Sequence, residues 1–179
     1  MKEIMPDEWT AWTKLPGRFS KTREGRARYD TTVYLAHDYQ YLYFGIIAND
    51  DRGAMIGQRS VVQNDHMEYV IVRPDGAVYQ FVADARGLLN LYVDNKAAPI
   101  PGKTVCRVKR TRGGPWMQFM AIPMEILKLD LQKRSASVRA NVCRVRRGLH
   151  GEFTSWAPVG KKGFVSKEEA GEFVFDFNW

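Results

Sequence analysis

The chain has 179 residues, 45% of them hydrophobic and 26% charged, which suits one globular domain with a full core and rules out disorder. Lys plus Arg number 27 against 20 Asp plus Glu; the net charge of +7 favours an anionic partner, although a merely soluble basic domain has the same balance. The apolar run 42–48 is far short of the roughly 20 residues of a membrane span, so none is expected. Met1-Lys2-Glu3-Ile4-Met5-Pro6-Asp7-Glu8 has no apolar stretch like that of a signal peptide. Two cysteines make neither a disulfide framework nor a four-ligand zinc site, and His37, His66 and His150 are far apart, so a His-rich metalloenzyme is not expected.

The chain opens on Glu8-Trp9 and Trp12, then passes into a basic stretch holding Arg18, Lys21, Arg23, Arg26 and Arg28 against Glu24. Pro16, Gly17 and Gly25 make that stretch read as an extended loop. Strands are predicted over 32–36 and 41–48, joined by a hairpin turn at His37-Asp38-Tyr39-Gln40. Asn49-Asp50-Asp51 follows as an acidic loop. Strands over 67–72 and 77–82 flank Arg73-Pro74-Asp75-Gly76, whose Pro-Asp-Gly pre-sets the turn torsions. Further strands are predicted over 88–93, 104–109, 117–122, 137–144, 153–157 and 172–177, in segments rich in Val, Tyr, Phe and Ile. Residues 123–129 alone read as helix, with Pro123 in the first turn and apolar residues on one face. About ten short strands and one short helix argue for an all-β antiparallel sandwich or barrel in a single domain over 1–179.

One echo runs through the second half: Val105-Cys106-Arg107-Val108-Lys109-Arg110 against Val142-Cys143-Arg144-Val145-Arg146-Arg147. If these strands are neighbours, Cys106 and Cys143 can pair and the basic side chains form one stripe; otherwise the cysteines are two buried thiols. A stripe of arginines, joined by Arg112, would match an acidic glycan, because the planar guanidinium fits carboxylate and sulfate. Nucleic acid fits the charge as well, but no nucleic-acid-binding motif accompanies it and none is expected as a partner. Catalysis finds no motif: there is no Gly-x-Ser-x-Gly, phosphate loop, His-Glu-x-x-His or dinucleotide fingerprint.

The order of several weak motifs resembles the family 9 carbohydrate-binding modules and their wider superfamily, which includes the DOMON-type domains. They are Glu8-Trp9 with Trp12; Thr32-Val33-Tyr34-Leu35-Ala36-His37-Asp38 running into Leu42-Tyr43-Phe44; Asn49-Asp50-Asp51; Asn64-Asp65-His66-Met67-Glu68-Tyr69-Val70; Trp116 through Ile122-Pro123; Asn141-Val142-Cys143-Arg144; Ser155-Trp156-Ala157-Pro158; and Phe164 with Ala170-Gly171-Glu172-Phe173. The resemblance covers nearly the whole chain and implies a jelly-roll-like β-sandwich. It implies a non-catalytic module binding a poly- or oligosaccharide, extracellular or periplasmic, in a secreted bacterial polysaccharide-processing system with a linked glycoside hydrolase or other domain. In sugar-binding members two tryptophans sandwich a terminal sugar, whose hydroxyls meet carboxylate, amide and arginine groups.

Aligned by eye on Asp65 and Glu68, the family's first tryptophan slot falls at Val62, the second near Phe164 and the arginine slot near Val82, so this chain departs from the family clamp. The sugar-binding candidates are Glu68, Asp65, Phe164, Lys161, Trp116 and Arg144, with Glu68 and Asp65 equally able to satisfy local backbone donors. The resemblance to calcium-bearing members makes Asp50 and Asp51 candidate calcium ligands; a solvated acidic loop is the competing reading. Two rivals stay open: a structural or docking domain that keeps the fold without the clamp, and a haem domain drawing axial ligands from Met67 and a histidine.

Overall fold

A computed structural model of the chain describes residues 12–21, 25–148, 150–160 and 163–177. Its strands are β1 (Thr13–Lys14), β2 (Ser20–Lys21), β3 (Thr31–His37), β4 (Tyr41–Ala48), β5 (His66–Val72), β6 (Val78–Asp84), β7 (Leu89–Val93), β8 (Lys96–Ala98), β9 (Val105–Arg110), β10 (Trp116–Pro123), β11 (Ser135–Arg146), β12 (Glu152–Ser155) and β13 (Gly171–Asp176). They form two sheets, one in the order β1-β3-β4-β10-β9 and one in the order β2-β12-β11-β5-β6-β7-β8, with β13 also on β11. Every pairing is antiparallel. The chain is a β-sandwich, and each strand predicted from sequence alternation is present.

Alternation explains the core. β5 sends Met67, Tyr69 and Ile71 between the sheets, where they join Phe81 and Ala83 of β6, Phe44 and Ile46 of β4, and Met120 and Ile122 of β10. Phe44 meets Tyr69 edge-on at 4.8 Å between ring centroids. One polar bridge crosses this core: the Tyr69 hydroxyl donates to Gln118 Oε1 at 2.6 Å, and Gln118 Nε2 donates to the carbonyls of Ala83 and Asp84. The predicted turns also hold. At 73–76 the Gly76 amide donates to the Arg73 carbonyl at 2.9 Å with Gly76 at φ +83°, and Asp38 caps the other hairpin through the amides of Gln40 and Tyr41.

Three expectations are corrected. The helix over 123–129 shrinks to a 3-10 turn, Met124–Leu127, because Lys128 leaves in the left-handed region at φ 51°. The basic loop contributes strand β2 against β12, and β1 and β8 are further short strands. The echo strands do not pair: β9 lies in the first sheet and β11 in the second. Their phases are also opposite. In β9 Cys106 and Val108 pack on the core, whereas β11 turns Val138, Ala140 and Val142 inward and Cys143 outward. Cys106 and Cys143 are therefore free thiols and the single basic stripe does not form. Burial pushes the Cys106 thiol up to about 12 and the Cys143 thiol well above its ordinary value.

Candidate functional site

The side chains of β5 that do not enter the core, His66, Glu68, Val70 and Val72, face away from the first sheet. Register places Ser155, Cys143, Glu68, Val82 and Asn90 in one row across this outer face, and Phe153, Val145 and His66 in the next. At one end the loop between β12 and β13 lies over the sheet, with Val165 and Ala170 packed on Val70, Val72 and Val78. The other end carries the polar and aromatic groups.

Glu68 is held by two partners: Gln80 Nε2 donates to Oε2 at 2.7 Å, and His66 Nε2 lies 3.1 Å from Oε1. His66 Nδ1 is 2.7 Å from the Asn64 carbonyl, so the ring is held at both nitrogens. The orientation of the imidazole, and with it of the carboxylate, is thereby fixed. Beside this group stands an aromatic pair, Phe153 and Phe164, with ring centroids 6.3 Å apart. Phe153 is 44% exposed. The Arg147 guanidinium sits 5.3 Å from the Phe153 centroid and donates to the Val62 carbonyl from Nε at 3.0 Å and Nη2 at 2.6 Å. Phe153 and His66 share a face two strands apart, roughly 10 Å between backbones. The aromatic faces suit the apolar side of a pyranose, while the guanidinium, carboxylate and amide suit its hydroxyls.

The loops around the site are tied by buried side chains. Asn64 Nδ2 donates to Asp84 Oδ2 at 3.0 Å and to the carbonyls of Gln58 and Ser60. Asp65 accepts the amides of Arg147 and Met55 at 2.5 and 2.8 Å and Arg52 Nη2 at 3.4 Å.

No family model matches the chain, and no curated protein matches it in sequence. Solved structures do match in shape. A Bacteroides uniformis protein proposed to bind carbohydrate superposes with a TM-score of 0.71 at 15% identity, over 93% of this chain and 88% of that one. A family 9 carbohydrate-binding module from Caldicellulosiruptor kristjanssonii in complex with cellotriose gives 0.69 at 12% identity over 93% and 83%, and one in complex with glucose gives 0.67 at 13% over 95% and 86%. The fold is that of a family 9 carbohydrate-binding module. At these identities the likeness carries the fold and not the ligand.

Set on this module fold, the sequence candidates separate. Glu68 and Phe164 lie on the one outer face, together with His66, Gln80, Arg147 and Phe153, none of which was among the sugar-binding candidates read from sequence. Val82, in the family's arginine slot, is only 1% exposed and packs beside Glu68. Gln80 supplies the donor to the carboxylate instead. Val62 is half-buried and offers its carbonyl to Arg147 rather than a ring face.

The other candidates belong to the interior. Asp65 is wholly buried in the loop network just described. Trp116 is 0% exposed within the core, so no ring face is available for stacking. Arg144 is also buried: with Arg146 it clasps Asp50, through Arg144 Nη2 to Oδ2 at 3.1 Å, Arg146 Nε to Oδ2 at 3.0 Å and Arg146 Nη2 to Oδ1 at 3.1 Å. Asp51 accepts from Arg146 at 2.9 Å and from the Tyr29 hydroxyl at 2.5 Å. Both proposed calcium carboxylates are thus engaged by arginine, and no group of three metal-ligating side chains occurs among the described residues. Met67, the candidate haem ligand, is wholly buried in the core. Lys161 lies outside the described residues.

Proposed function

We propose that this domain is a non-catalytic carbohydrate-binding module whose ligand rests on Phe153 and Phe164. Arg147 reaches its hydroxyls on one side, and the Glu68–His66–Gln80 group on the other. The observation that carries the reading is the exposed Phe153, paired with Phe164 under the Arg147 guanidinium, on the same face as Glu68. The module fold supports it, since its structural neighbours include modules in complex with cellotriose and glucose. In this reading the family's sandwich of two indoles is replaced by an adjacent phenylalanine pair, a shallower platform suited to one face of a sugar. An extracellular or periplasmic protein that delivers a neighbouring domain to polysaccharide is the setting this function implies.

A docking domain without a sugar site is the second reading, favoured by Val82, which closes the arginine slot. One experiment separates them. In a thermal-shift and calorimetric screen against neutral oligosaccharides, cellotriose first, the melting temperature is expected to rise with the logarithm of ligand excess over Kd. Phe153→Ala with Phe164→Ala should abolish the shift while the protein still unfolds cooperatively. A flat screen on folded wild-type protein would leave the docking reading in place.

A further inference from the structure

A second cleft, of about 470 Å³, opens at the end of the first sheet between the loop after β4 and the β9–β10 turn. Three arginines line it, Arg52, Arg110 and Arg112, and no acidic side chain does among the described residues. Its volume lies within the few hundred to a thousand Å³ typical of small-molecule sites. The walls are set by backbone. The turn is closed by the Thr111 amide on the Pro115 carbonyl at 3.1 Å and the Gly114 amide on the Thr111 carbonyl at 3.2 Å. Gly53, at φ +76°, lies so close to this turn that an added Cβ would come 3.3 Å from the Gly113 nitrogen. Glycine at both places lets the two loops touch without side chains filling the space between them.

The arginines are in different states. Arg52 is fixed: its guanidinium donates to Asp65 Oδ2 at 3.4 Å, to the Gly53 carbonyl at 3.5 Å and to the Arg147 carbonyl. These contacts leave part of its five N–H donors unused. Arg110 and Arg112 are exposed and make no ion pair or side-chain hydrogen bond among the described residues. Arg52 is thus neutralised by Asp65, while Arg110 and Arg112 bring two uncompensated charges to the opening, which an anion would offset. Val108, half-buried in the same lining, adds an apolar surface beside the charges.

We infer that this cleft binds an acidic saccharide unit, a ring bearing a carboxylate or sulfate. The guanidinium forks of Arg110 and Arg112 take the acidic group in planar, charge-assisted fashion, Arg52 adds a preorganised donor, and Val108 meets the ring. The site is separate from the Phe153–Phe164 platform, and the inference stands whether or not that platform binds sugar. It also gives the surplus of basic residues a specific use.

The probe is trigalacturonate, titrated calorimetrically at low salt, with maltotriose as the neutral control. The wild type should bind trigalacturonate, and binding should weaken as salt is added. Arg110→Gln with Arg112→Gln, at exposed positions, should weaken it at least about tenfold without moving the melting temperature, whereas Lys96→Gln, which removes an exposed charge on β8 away from the cleft, should leave it unchanged. Equal affinity in the arginine variant, or no binding by the wild type, overturns the assignment. Sodium sulfate binding as tightly as the trisaccharide, with displacement of it, would reduce the cleft to a general anion site and equally overturn the saccharide assignment. Loss of trigalacturonate binding on Phe153→Ala with Phe164→Ala would place the acidic ligand on the other face and overturn the assignment.

Discussion

Asp50→Asn is the most informative single change for the fold. The Asp50 side chain is wholly buried and that of Arg144 is 1% exposed, so neither charge has recourse to water. Asp50 accepts three hydrogen bonds from Arg144 and Arg146 at 3.0 to 3.1 Å. Without it, Arg144 keeps the Thr31 hydroxyl at 3.4 Å, while its Nε already has no partner among the described residues. Burial lowers the Arg144 pKa, and Asp50 is the leading group opposing that shift. Asparagine retains the shape but offers one oxygen and turns an N–H₂ toward a guanidinium. Removing one partner of a buried pair costs about 3–5 kcal/mol. At about 2–4 °C per kcal/mol for a chain of this size, the melting temperature should fall by about 6–20 °C. Urea unfolding followed by circular dichroism measures it. Adding Arg144→Met should recover a large part of the loss, because the uncompensated charge goes with it. A loss below about 1 kcal/mol would refute the reasoning. So would stabilisation of the wild type by calcium that vanishes in Asp50→Asn, since the carboxylate would then serve an ion rather than the arginines.

Two further outcomes follow from packing and titration. An added Cβ at Gly171 would lie 2.4 Å from Trp156 Cζ3, so Gly171→Ala should lower stability by about 1–3 kcal/mol with an unchanged urea m-value; a neutral result would show that the ring moves freely. Burial lowers the His37 pKa, with Asp38 and Asp176 opposing it, between the rings of Phe175 and Phe177 at 5.3 Å each. The unfolded chain then binds the proton more readily than the folded one. Stability should be level above the unfolded value of about 6.5 and decline as pH falls below it, and His37→Gln should flatten that slope; an identical slope in the variant would remove His37 as its source.

Much of the fold was legible because it is written in period two. The segments 67–72 and 77–82 around Pro-Asp-Gly gave both strands and their turn. β1, β2 and β8, two or three residues long, carry no period and were not seen. The arginines of β11 show a signal that was present and unused. Val138, Ala140 and Val142 set the inward phase, and that phase continues to Arg144 and Arg146. An arginine on an apolar phase needs a buried carboxylate, which directs attention to the Asn49-Asp50-Asp51 loop as an ion-pair partner rather than a calcium loop. Opposite phase likewise separates Arg107 from Arg144 despite their shared motif. The site was less legible for a different reason. Phe153, Val145 and His66 form one row only through two strand registers, and no local pattern encodes a register between segments so distant in the chain.

The same separation explains how this fold can keep its shape while its ligand groups change. Asp50, Asn64 and Asp65 fix the loops through buried bonds to arginines, amides and carbonyls, none of which needs a sugar or a metal to be satisfied. The outer face is then released from structural duty at single positions. Beside Val82, Glu68 is held by Gln80 and His66, and beside Val62 the exposed aromatic is Phe153, under an arginine that is itself anchored on the Val62 carbonyl. A clamp is therefore a poor guide to function here, slot by slot. The face to test is the one that register assembles, where aromatic area, a guanidinium fork and an oriented carboxylate converge.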